Sequence, residues 1–536
     1  MLALRQQSKR VASTSRRALS TQASSILSSL NLPTDGSPIP GVFHSKWTGS
    51  GPLQQSINTA TGEVLGEVKT ATPQEVEDTL KAARAAYRNW RGVAPPKRGE
   101  VLRQIRNALN DNIDDLGRLV SLEMGKVFSE GRGEVQEFVD ECDLAVGLSR
   151  SIGGTVYSSE REKHFATEVA NPLGVIGVVT AFNFPVAVYG WNLALSFITG
   201  NASIWKPAPT TPLTAIATTK IIQEVLAANK LDGALSSLLC GGGDVGEALV
   251  TDKRVDLLSF TGSEARGREV SMKVAGRFGQ SLLELGGNNA SIVMPDANMQ
   301  LALQAITFSA LGTAGQRCTT TRRLFIHSSI APHFISSLVD AYKSVSKRTG
   351  HPLDPNTLVG PVHSADSVKR FEAAILKIKE QGGEVLAGGK KVEMKGELSG
   401  GNFVEPTIVL VKDQETFPMM KEETFAPILY VSTFETLEQA IELNNSVAQG
   451  LSSSIFTQDM SSAFKFTGFD GSDTGIININ SSTSGAEIGM RFGGNKGSGW
   501  GRESGGDAWK QYVRWSSCTY NWSNEVGLAQ GVKFDL

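Results

Sequence analysis

The stretch GTAGQRCTTTRR, residues 312–323, places one cysteine between small-residue turns and an arginine pair. A thiolate at Cys318 is a nucleophile, whereas a neutral thiol is usually a small buried hydrophobe. No histidine lies within eight residues of Cys318 in the sequence, so the motif does not indicate a neighbouring imidazole base. The remaining activators are a glutamate acting through water, a helix N-terminus, or the positive charge of a cofactor.

Two further motifs carry residue types that complete such chemistry. In LELGGNN, Glu284 precedes two glycines, and a partly buried carboxylate with room to move suits a general base. In AFNFP, Asn183 follows a short apolar run, and an amide at the carboxyl end of a parallel strand can donate to an oxyanion. A solvated turn glutamate and a turn-forming asparagine before Pro185 are the competing interpretations.

Cys318, Glu284 and Asn183 can act together only if the helices and strands of the fold bring the ends of several strands to one place. Over residues 74–150 apolar residues recur at helical spacing, and the first helical pattern begins after Thr72 with Pro73 at an early position. From residue 173 onward, short β-branched runs alternate with helical stretches, first as far as VDLLSF and again from SIVMPD to GIININ. This alternation predicts an α/β protein with two domains built on doubly wound parallel sheets.

Two glycine-rich loops compete as phosphate sites. GGGDVG, residues 241–246, matches G-x-G-x-x-G between a strand-like and a helical stretch. In SFTGSEARG, Gly262 and Gly267 bracket Ser263 at another strand-to-helix junction, where a hydroxyl and backbone N–H groups can meet a phosphate. The two patterns by themselves do not decide which loop binds a cofactor.

Composition excludes several classes of protein. The chain has 536 residues, and its 52 basic and 54 acidic residues give a net charge of −2, which argues against nucleic-acid binding. Four cysteines without C-x-x-C spacing and six scattered histidines predict neither a disulfide framework nor a metal site. No run of about 18 uncharged apolar residues occurs, so no membrane span is predicted.

The N-terminus has a different composition from the rest of the chain. Its first 34 residues contain no Asp or Glu but are rich in Arg and Ser. This pattern predicts a mitochondrial transit peptide over residues 1–25, processed near residues 17–22, with a disordered basic tail as the alternative. The predicted location is the mitochondrial matrix, and a cytosolic form is left open.

The motifs, and the order in which they occur, resemble those of a known protein family. AFNFP, WKPAPTTP, FTGS, LELGG, GQRCT, EETFAP and GLSSSIFT, spread over about residues 40–525, resemble the aldehyde dehydrogenase superfamily. FNFPVAVYGWN, LLELGGNNA, TSGAEIG and GRESGGDAWKQY are most similar to its antiquitin branch, the α-aminoadipic semialdehyde dehydrogenases. The resemblance implies an NAD-binding domain over 26–290, a catalytic domain over 291–490, and a return segment with oligomerisation strands over 491–536. It also implies a small β extension, formed by 156–172 with 510–525, that joins a homo-oligomer, either a dimer or a tetramer.

The resemblance also implies a role for each motif. Cys318 attacks the aldehyde, the Asn183 amide and the Cys318 N–H hold the oxyanion, hydride passes to NAD, and Glu284 activates the water that hydrolyses the thioester. The implied NAD contacts are Lys206, Phe260, Gly262, Ser263, Gly267, Glu423 and Phe425. These contacts place the pyrophosphate near the FTGS loop, so the GGGDVG loop is no longer expected to bind it. Many relatives have a glutamate where this chain has Pro209, so NAD rather than NADP is implied by the resemblance and not by that position.

For the substrate, the resemblance implies an amino-acid aldehyde, α-aminoadipic semialdehyde, formed in lysine breakdown. Glu123 would meet its ammonium, and Arg317 with the backbone at Gly485 and Ala486 would meet its carboxylate. An apolar box around the methylene chain is implied at Phe184, Trp191 and Phe492. The competing interpretations are a helix-surface ion pair for Glu123 and core packing for the aromatic residues.

Three other functions fit parts of the pattern. One is a broad-specificity enzyme that acts on betaine aldehyde or on lipid-derived aldehydes. The second is a non-catalytic NAD-binding protein, which the presence of both Cys318 and Glu284 disfavours. The third is a cysteine hydrolase, for which the sequence offers no recognisable histidine partner.

Overall fold

The computed structural model describes residues 19–414, 416–526 and 532. Most of the predicted transit peptide, residues 1–18, therefore lies outside the described residues. Numbered in chain order, the helices of the described part are α1 Thr21–Ser29, α2 Pro73–Trp90, α3 Pro95–Asp111, α4 Ile113–Met124, α5 Phe128–Leu148, α6 Ala187–Thr199, α7 Pro212–Ala228, α8 Gly243–Thr251, α9 Glu264–Gly276, α10 Met299–Leu311, α11 Ala331–Ser346, α12 Ala365–Glu380, α13 Leu437–Asn445 and α14 Met460–Thr467.

The strands of the described part are β1 Ile39–Pro40, β2 Val42–Phe43, β3 Trp47–Thr48, β4 Leu53–Ile57, β5 Val64–Lys69, β6 Val156–Tyr157, β7 His164–Pro172, β8 Val175–Val179, β9 Ala202–Lys206, β10 Ser236–Leu239, β11 Leu257–Thr261, β12 Gln280–Glu284, β13 Asn289–Val293, β14 Thr321–His327, β15 Glu384–Ala387, β16 Thr407–Leu410, β17 Ile428–Phe434, β18 Gln449–Gly450, β19 Ser452–Phe456, β20 Ile476–Ile479, β21 Arg491–Phe492, β22 Asn495–Lys496, β23 Glu503–Ser504 and β24 Val513–Asn521.

The first large sheet has the strand order β12-β11-β8-β9-β10-β2-β3. Strands β8 to β12 run parallel, and β2 and β3 join antiparallel at one edge. The chain proceeds outward from β8 to β10 and then returns to β11 on the other side of β8. Ligands of doubly wound sheets bind at the carboxyl ends of the strands where the order reverses, which here lies between β8 and β11.

The second large sheet has the order β15-β16-β17-β14-β13-β19-β20, in which β15 alone is antiparallel to its neighbour. Glu284 ends β12 in the first sheet and Asn289 begins β13 in the second, so residues 285–288 join the two sheets directly. Cys318 shortly precedes β14, at the amino edge of the second sheet. The predicted α/β architecture is confirmed, and the predicted domain boundary at residue 290 falls inside β13.

A third, small sheet has the order β24-β7-β6. β24 and β7 pair antiparallel through nine consecutive residues, from Val513 opposite Pro172 to Asn521 opposite His164. The predicted pairing of residues 156–172 with the C-terminal segment is confirmed. Its role in oligomerisation stays a prediction.

The predicted transit peptide overlaps the folded part of the chain. The Ser20 hydroxyl accepts a hydrogen bond from the Ala23 N–H and caps α1, and Ala23, Ile26 and Leu27 are buried in the core. Cleavage after residue 25 would remove the cap and expose the remaining apolar face. Within the described residues, none of the helices has the length and apolar character needed to cross a bilayer, and no three His, Cys, Asp or Glu side chains group as a metal site.

Candidate active site

One cavity brings together side chains from motifs that are far apart in the sequence. Asn183 lies just beyond β8, Glu284 ends β12, and Cys318 lies just before β14. All three line the cavity, as do Glu137, Phe184, Val188, Trp191, Thr261, Leu285, Arg317, Thr319, Ser484, Ala486, Glu487, Ile488, Phe492, Glu503 and Ser504. The fold therefore places the three predicted reacting residues in one site, because strand ends of the two sheets meet there.

A strained turn leads into Cys318. Thr313, Ala314 and Gly315 have φ values of 54°, 50° and 69°, all in the left-handed region. Only glycine adopts this region without strain, so the first two residues cost about 1 kcal/mol or more each. The Glu130 carboxylate holds the turn by accepting a hydrogen bond of 2.9 Å from the Thr313 N–H.

The Cys318 thiol lies in an environment that disfavours its charge. Burial and then the carboxylates of Glu284 and Glu423 raise the pKa of Cys318 to about 12, while a hydrogen bond from the Thr319 N–H and the guanidinium of Arg322 oppose them. The thiol is therefore protonated at neutral pH while the cavity holds only protein groups. Of the predicted activators, a glutamate and a cofactor charge remain, since the turn before Cys318 is a short 3₁₀ segment with no helix N-terminus at the thiol.

Glu284 is a buried acid rather than a solvated turn residue. It is 4% exposed, and neither carboxyl oxygen has a hydrogen-bond partner among the described residues. Burial and then the neighbouring Glu503 raise the pKa of Glu284 well above its ordinary value, while Arg502 opposes them. A carboxyl group that is free of hydrogen bonds and has a raised pKa suits a general base.

Glu503 lines the cavity but is not among the site residues predicted from the sequence motifs. It is fully buried, and its Oε1 accepts hydrogen bonds from Asn192 Nδ2 at 2.7 Å and Ser259 Oγ at 3.0 Å. Burial raises the pKa of Glu503 to about 7. Its other carboxyl oxygen has no partner in the described part of the chain.

The structure contradicts the substrate role predicted for Glu123. Glu123 is fully buried and does not line the cavity. Its carboxylate accepts hydrogen bonds from the N–H groups of Leu213 and Thr214 at 2.9 and 2.8 Å, and from the hydroxyls of Thr214 and Ser56. The residue caps the first turn of α7 from α4, which also excludes the helix-surface ion pair. Its hydrogen-bond capacity is used within the protein, so none is left for an ammonium group.

A neighbouring glutamate occupies the position that Glu123 was expected to fill. Glu137, on α5, lines the cavity and accepts no hydrogen bond from a described residue. Burial and then Glu134 raise the pKa of Glu137 to about 7, while the cations of Lys126 and Arg317 lower it. A cation bound beside this carboxyl group would favour its charged form.

A spacing in the sequence could have identified this residue. The glutamates at positions 130, 134, 137 and 141 are separated by four, three and four residues, which puts all of them on one face of a helix. In the structure this carboxylate stripe of α5 faces inward. Glu130 accepts a hydrogen bond from the strained turn, and Glu134 accepts one from the start of α6. Glu137 lines the cavity, and Glu141 accepts a hydrogen bond from the Ser504 hydroxyl.

The residues predicted to bind the substrate carboxylate behave differently from one another. Arg317 lines the cavity, but its Nη2 pairs with Glu130 at 2.6 Å and its Nε donates to Thr313 Oγ1, so only Nη1 lacks a partner among the described residues. Ala486 lines the cavity as predicted. Gly485 does not, and its N–H donates to the Ser482 carbonyl. The predicted contact from Gly485 stays a prediction, and a local turn uses its donor in this structure.

The predicted aromatic box fits both of its interpretations. Phe184, Trp191 and Phe492 all line the cavity, and the rings of Trp191 and Phe492 have centroids 5.0 Å apart. The same residues belong to a small apolar cluster that includes Leu451 and Ile476. The box is therefore a piece of core whose inner surface forms the wall of the cavity.

Five of the predicted cofactor residues lie at or just beyond the carboxyl ends of β9 and β11 in the first sheet, namely Lys206, Phe260, Gly262, Ser263 and Gly267. Lys206 ends β9 and is 5% exposed, and its ammonium has no acceptor among the described residues. Burial lowers the pKa of Lys206 to about 8. An unpartnered buried cation fits a ligand that brings hydroxyl oxygens, as the adenosine ribose of NAD does.

The FTGS loop lies at the reversal of strand order, immediately after β11. Ser263 is the N-cap of α9, and its hydroxyl makes no capping hydrogen bond, so it and the first N–H groups are open to a phosphate. A Cβ at Gly267 would lie 2.3 Å from Leu285 and one at Gly262 would lie 2.9 Å from the Phe260 ring. The competing GGGDVG loop follows β10, two strands away from β8.

The nicotinamide end of the predicted cofactor site lies near Cys318. Glu423 accepts hydrogen bonds from the Gly287 N–H at 3.2 Å and from Arg322 Nη2 at 3.3 Å. Phe425 has a φ of 50°, and its ring lies 5.2 Å from the Arg322 guanidinium carbon. A positive φ at a bulky residue marks a position where function or packing maintains strain.

Comparisons with known proteins agree with this geometry. Residues 47–518 match the aldehyde dehydrogenase family. "Alpha-aminoadipic semialdehyde dehydrogenase" of Rattus norvegicus is 53% identical over 496 residues, which cover 92% of this chain and 90% of that protein. "Aldehyde dehydrogenase family 7 member A1" of Pisum sativum is 52% identical and covers 92% and 95%. The solved betaine aldehyde dehydrogenase of Staphylococcus aureus in complex with NAD+ is 28% identical, with a TM-score of 0.88 over 96% of this chain and 99% of that chain.

Proposed function

Since this chain belongs to the aldehyde dehydrogenase family and uses NAD, we propose that it oxidises α-aminoadipic semialdehyde to α-aminoadipate in lysine breakdown. One observation carries the choice of substrate. The Glu137 carboxyl group and the Arg317 guanidinium line the same cavity as Cys318. A substrate with an ammonium and a carboxylate at one end and an aldehyde at the other matches these charges and the apolar wall between them.

The reaction begins with attack by Cys318. The thiol gives its proton to solvent, and its sulfur forms a bond to the aldehyde carbon while the carbonyl π bond breaks, giving the oxyanion of a thiohemiacetal. The oxyanion accepts hydrogen bonds from the Asn183 side-chain amide, which has no partner among the described residues, and from the Cys318 N–H. The thiol is protonated at rest, so attack requires a group that stabilises the thiolate. The positive charge of bound NAD would supply that stabilisation.

NAD supplies an acceptor for the hydride that leaves the thiohemiacetal carbon, and a thioester on Cys318 remains. Lys206, Ser263, Glu423 and Phe425 would hold the cofactor, together with the backbone at Gly262 and Gly267 and the ring of Phe260. Glu284, in its carboxylate form, then takes a proton from a water molecule that attacks the thioester carbonyl. The C–S bond breaks, the carboxylate product leaves, and the proton held by Glu284 passes to the thiolate and restores the thiol. The raised pKa of Glu284 supports this role, since the group can carry a proton near neutral pH.

Glu137→Gln tests the choice of substrate through NADH formation with three aldehydes: the amino-acid aldehyde, hexanal and betaine aldehyde. Loss of the charged partner should lower kcat/KM for the amino-acid aldehyde roughly 10- to 100-fold. Hexanal should change within about twofold. Glu123→Gln is the matched control, because Glu123 is a buried glutamate outside the cavity. Equal losses for hexanal and the amino-acid aldehyde would contradict the proposal, and efficient turnover of betaine aldehyde would favour the broad-specificity alternative.

We also propose that the protein is a homo-oligomer, either a dimer or a tetramer, that associates through its third sheet. Trp515, Tyr520 and Trp522, on or next to β24, are 40%, 51% and 65% exposed, and exposed aromatic residues are typical of interfaces. Light scattering on a Trp515→Ser, Tyr520→Ser double variant tests this association. An unchanged mass would contradict it.

We further propose that the protein lies in the mitochondrial matrix, with the cytosol as a second location. The acid-free N-terminus supports import. Since Ser20 caps α1 and Ala23 is buried, processing is expected before residue 20. N-terminal sequencing of the protein isolated from mitochondria tests both points, and an intact N-terminus there would contradict the cleavage.

A further inference from the structure

A buried ion pair lies behind one wall of the cavity, and the reaction described above does not use it. Lys126 Nζ lies 2.6 Å from Glu134 Oε2, and the two side chains are 1% and 0% exposed. Burying two charges costs more than their attraction returns unless further contacts satisfy them. The contacts of each partner therefore indicate what the pair holds in place.

Glu134 joins α5 to the first turn of α6. Its Oε1 accepts hydrogen bonds from the N–H groups of Val186 at 2.6 Å and Ala187 at 3.2 Å. No side chain next to α6 in sequence caps this turn, so Glu134 satisfies donors that would otherwise be buried without partners. The start of α6 is thereby fixed to α5.

Lys126 holds the other end of the same segment. Its Nζ lies 3.8 Å from the centroid of the Phe184 ring, a cation–π contact that gains strength away from water. Phe184 directly follows Asn183, and the Arg317 guanidinium carbon lies 6.0 Å from the same ring. The two contacts of the ion pair therefore pin the segment 183–187 near both of its ends.

We propose that Lys126 and Glu134 are positioning residues that set the Asn183 side-chain amide at the point where the oxyanion forms. This inference rests on the oxyanion role proposed above for Asn183. A donor has to lie within about 3 Å of the developing charge, and a displacement on the order of 1 Å costs about 100-fold in rate. Neither residue lines the cavity, so each acts through the backbone of 183–187.

Two reactions of Cys318 separate positioning from stability. Acylation by p-nitrophenyl acetate passes through a tetrahedral oxyanion, so it needs the Asn183 amide. Alkylation by iodoacetamide forms a C–S bond and releases iodide at a saturated carbon, so it needs only the thiolate. A positioning role lowers the first rate and spares the second, whereas a loss of folded protein lowers both rates alike.

Lys126→Met and Glu134→Gln in the full chain, with NAD bound, provide the test. Acylation and NADH formation should fall roughly 10- to 100-fold, with alkylation within about twofold. Glu123→Gln is the matched control, because Glu123 caps the buried start of α7 in the same way but outside the cavity. It should lower Tm without separating the two rates. The test uses whichever of the two variants folds. The proposal would be overturned if acylation and alkylation fell equally, or if acylation did not fall.

A double-mutant cycle with Asn183→Ala separates the inference from the function on which it rests. That change alone should lower acylation on the order of 100-fold, and adding Lys126→Met should lower it little further, because both act on the same donor. Effects that multiply would overturn the inference. If Asn183→Ala acylates at the wild-type rate, the oxyanion role fails and the inference fails with it. If Asn183→Ala is slow and Lys126→Met is not, only the inference fails.

Discussion

Two walls of the cavity are built differently. One wall consists of turns at strand ends and carries Asn183, Glu284 and Cys318, and neither carboxyl oxygen of Glu284 has a hydrogen-bond partner among the described residues. The other wall is the carboxylate stripe of α5, in which three of the four carboxyl groups are hydrogen-bonded within the protein. The proposed reacting groups therefore lie on turns, while a rigid helix supplies the contacts that aim them.

The largest expected effect belongs to the wall of turns. Glu284→Gln keeps the shape of the side chain but removes the base proposed for thioester hydrolysis. Steady-state turnover should fall roughly 100- to 10,000-fold, and NADH formed in the first turnover should be less affected. Rapid-quench measurement of both phases, with NAD binding as the control, checks this. Turnover within a few-fold of the wild type would break the distinction between the two walls.

A smaller effect is expected from the α5 stripe at the strained turn. Glu130→Ala removes the acceptor for the Thr313 N–H and the ion-pair partner of Arg317. The turn can then relax from its positive φ, so kcat should fall about tenfold and KM for the amino-acid aldehyde should rise. Steady-state NADH kinetics measure both constants.

Asp143→Ala is the matched control for Glu130→Ala. Asp143 lies on α5 too, but it is exposed and pairs with Arg106 away from the cavity. Its removal should leave kcat and KM unchanged. If both variants lost activity to the same extent, the effect would come from α5 as a whole and not from the inward stripe.

The smallest effect on turnover is expected from Glu141, at the C-terminal end of the carboxylate stripe. Its substitution should change the free energy of unfolding instead. Burial and then Glu503 raise the pKa of Glu141 from 4.5 to about 8. Between those values the unfolded chain releases a proton that the folded protein retains, so this group lowers the free energy of unfolding as pH rises from about 4.5 to 8. Glu141→Gln should remove this decline, a gain on the order of a few kcal/mol at pH 8 and little at pH 5.

Urea unfolding at pH 5 and pH 8, at a fixed protein concentration, measures the effect. Glu503 remains in both proteins and provides a common background, since its pKa of about 7 gives a decline of the same sign. A gain that is equal at both pH values would show that Glu141 is not a protonated acid in the folded state.

Much of the fold followed from local patterns. The capping box of Thr72 and Glu75 starts α2 where Pro73 predicted a helix, and the alternation of apolar runs with helical stretches gave the two parallel sheets. The pairing of β7 with β24 was also predicted, although it joins residues more than 340 positions apart. That pairing came from the resemblance, because no local pattern specifies a partner so distant in the sequence.

The proposed reacting residues are the part of the site that the sequence alone indicated. Asn183, Glu284 and Cys318 belong to short motifs at strand ends, and the chemistry of such turns is encoded by adjacent residues. Only the tertiary structure decided which glutamate lines the cavity. Glu123 and Glu137 are acids on neighbouring helices, but the start of α7 uses the hydrogen-bond capacity of the first and leaves the second free. The difference lies in what packs against each helix, which one segment of sequence does not contain.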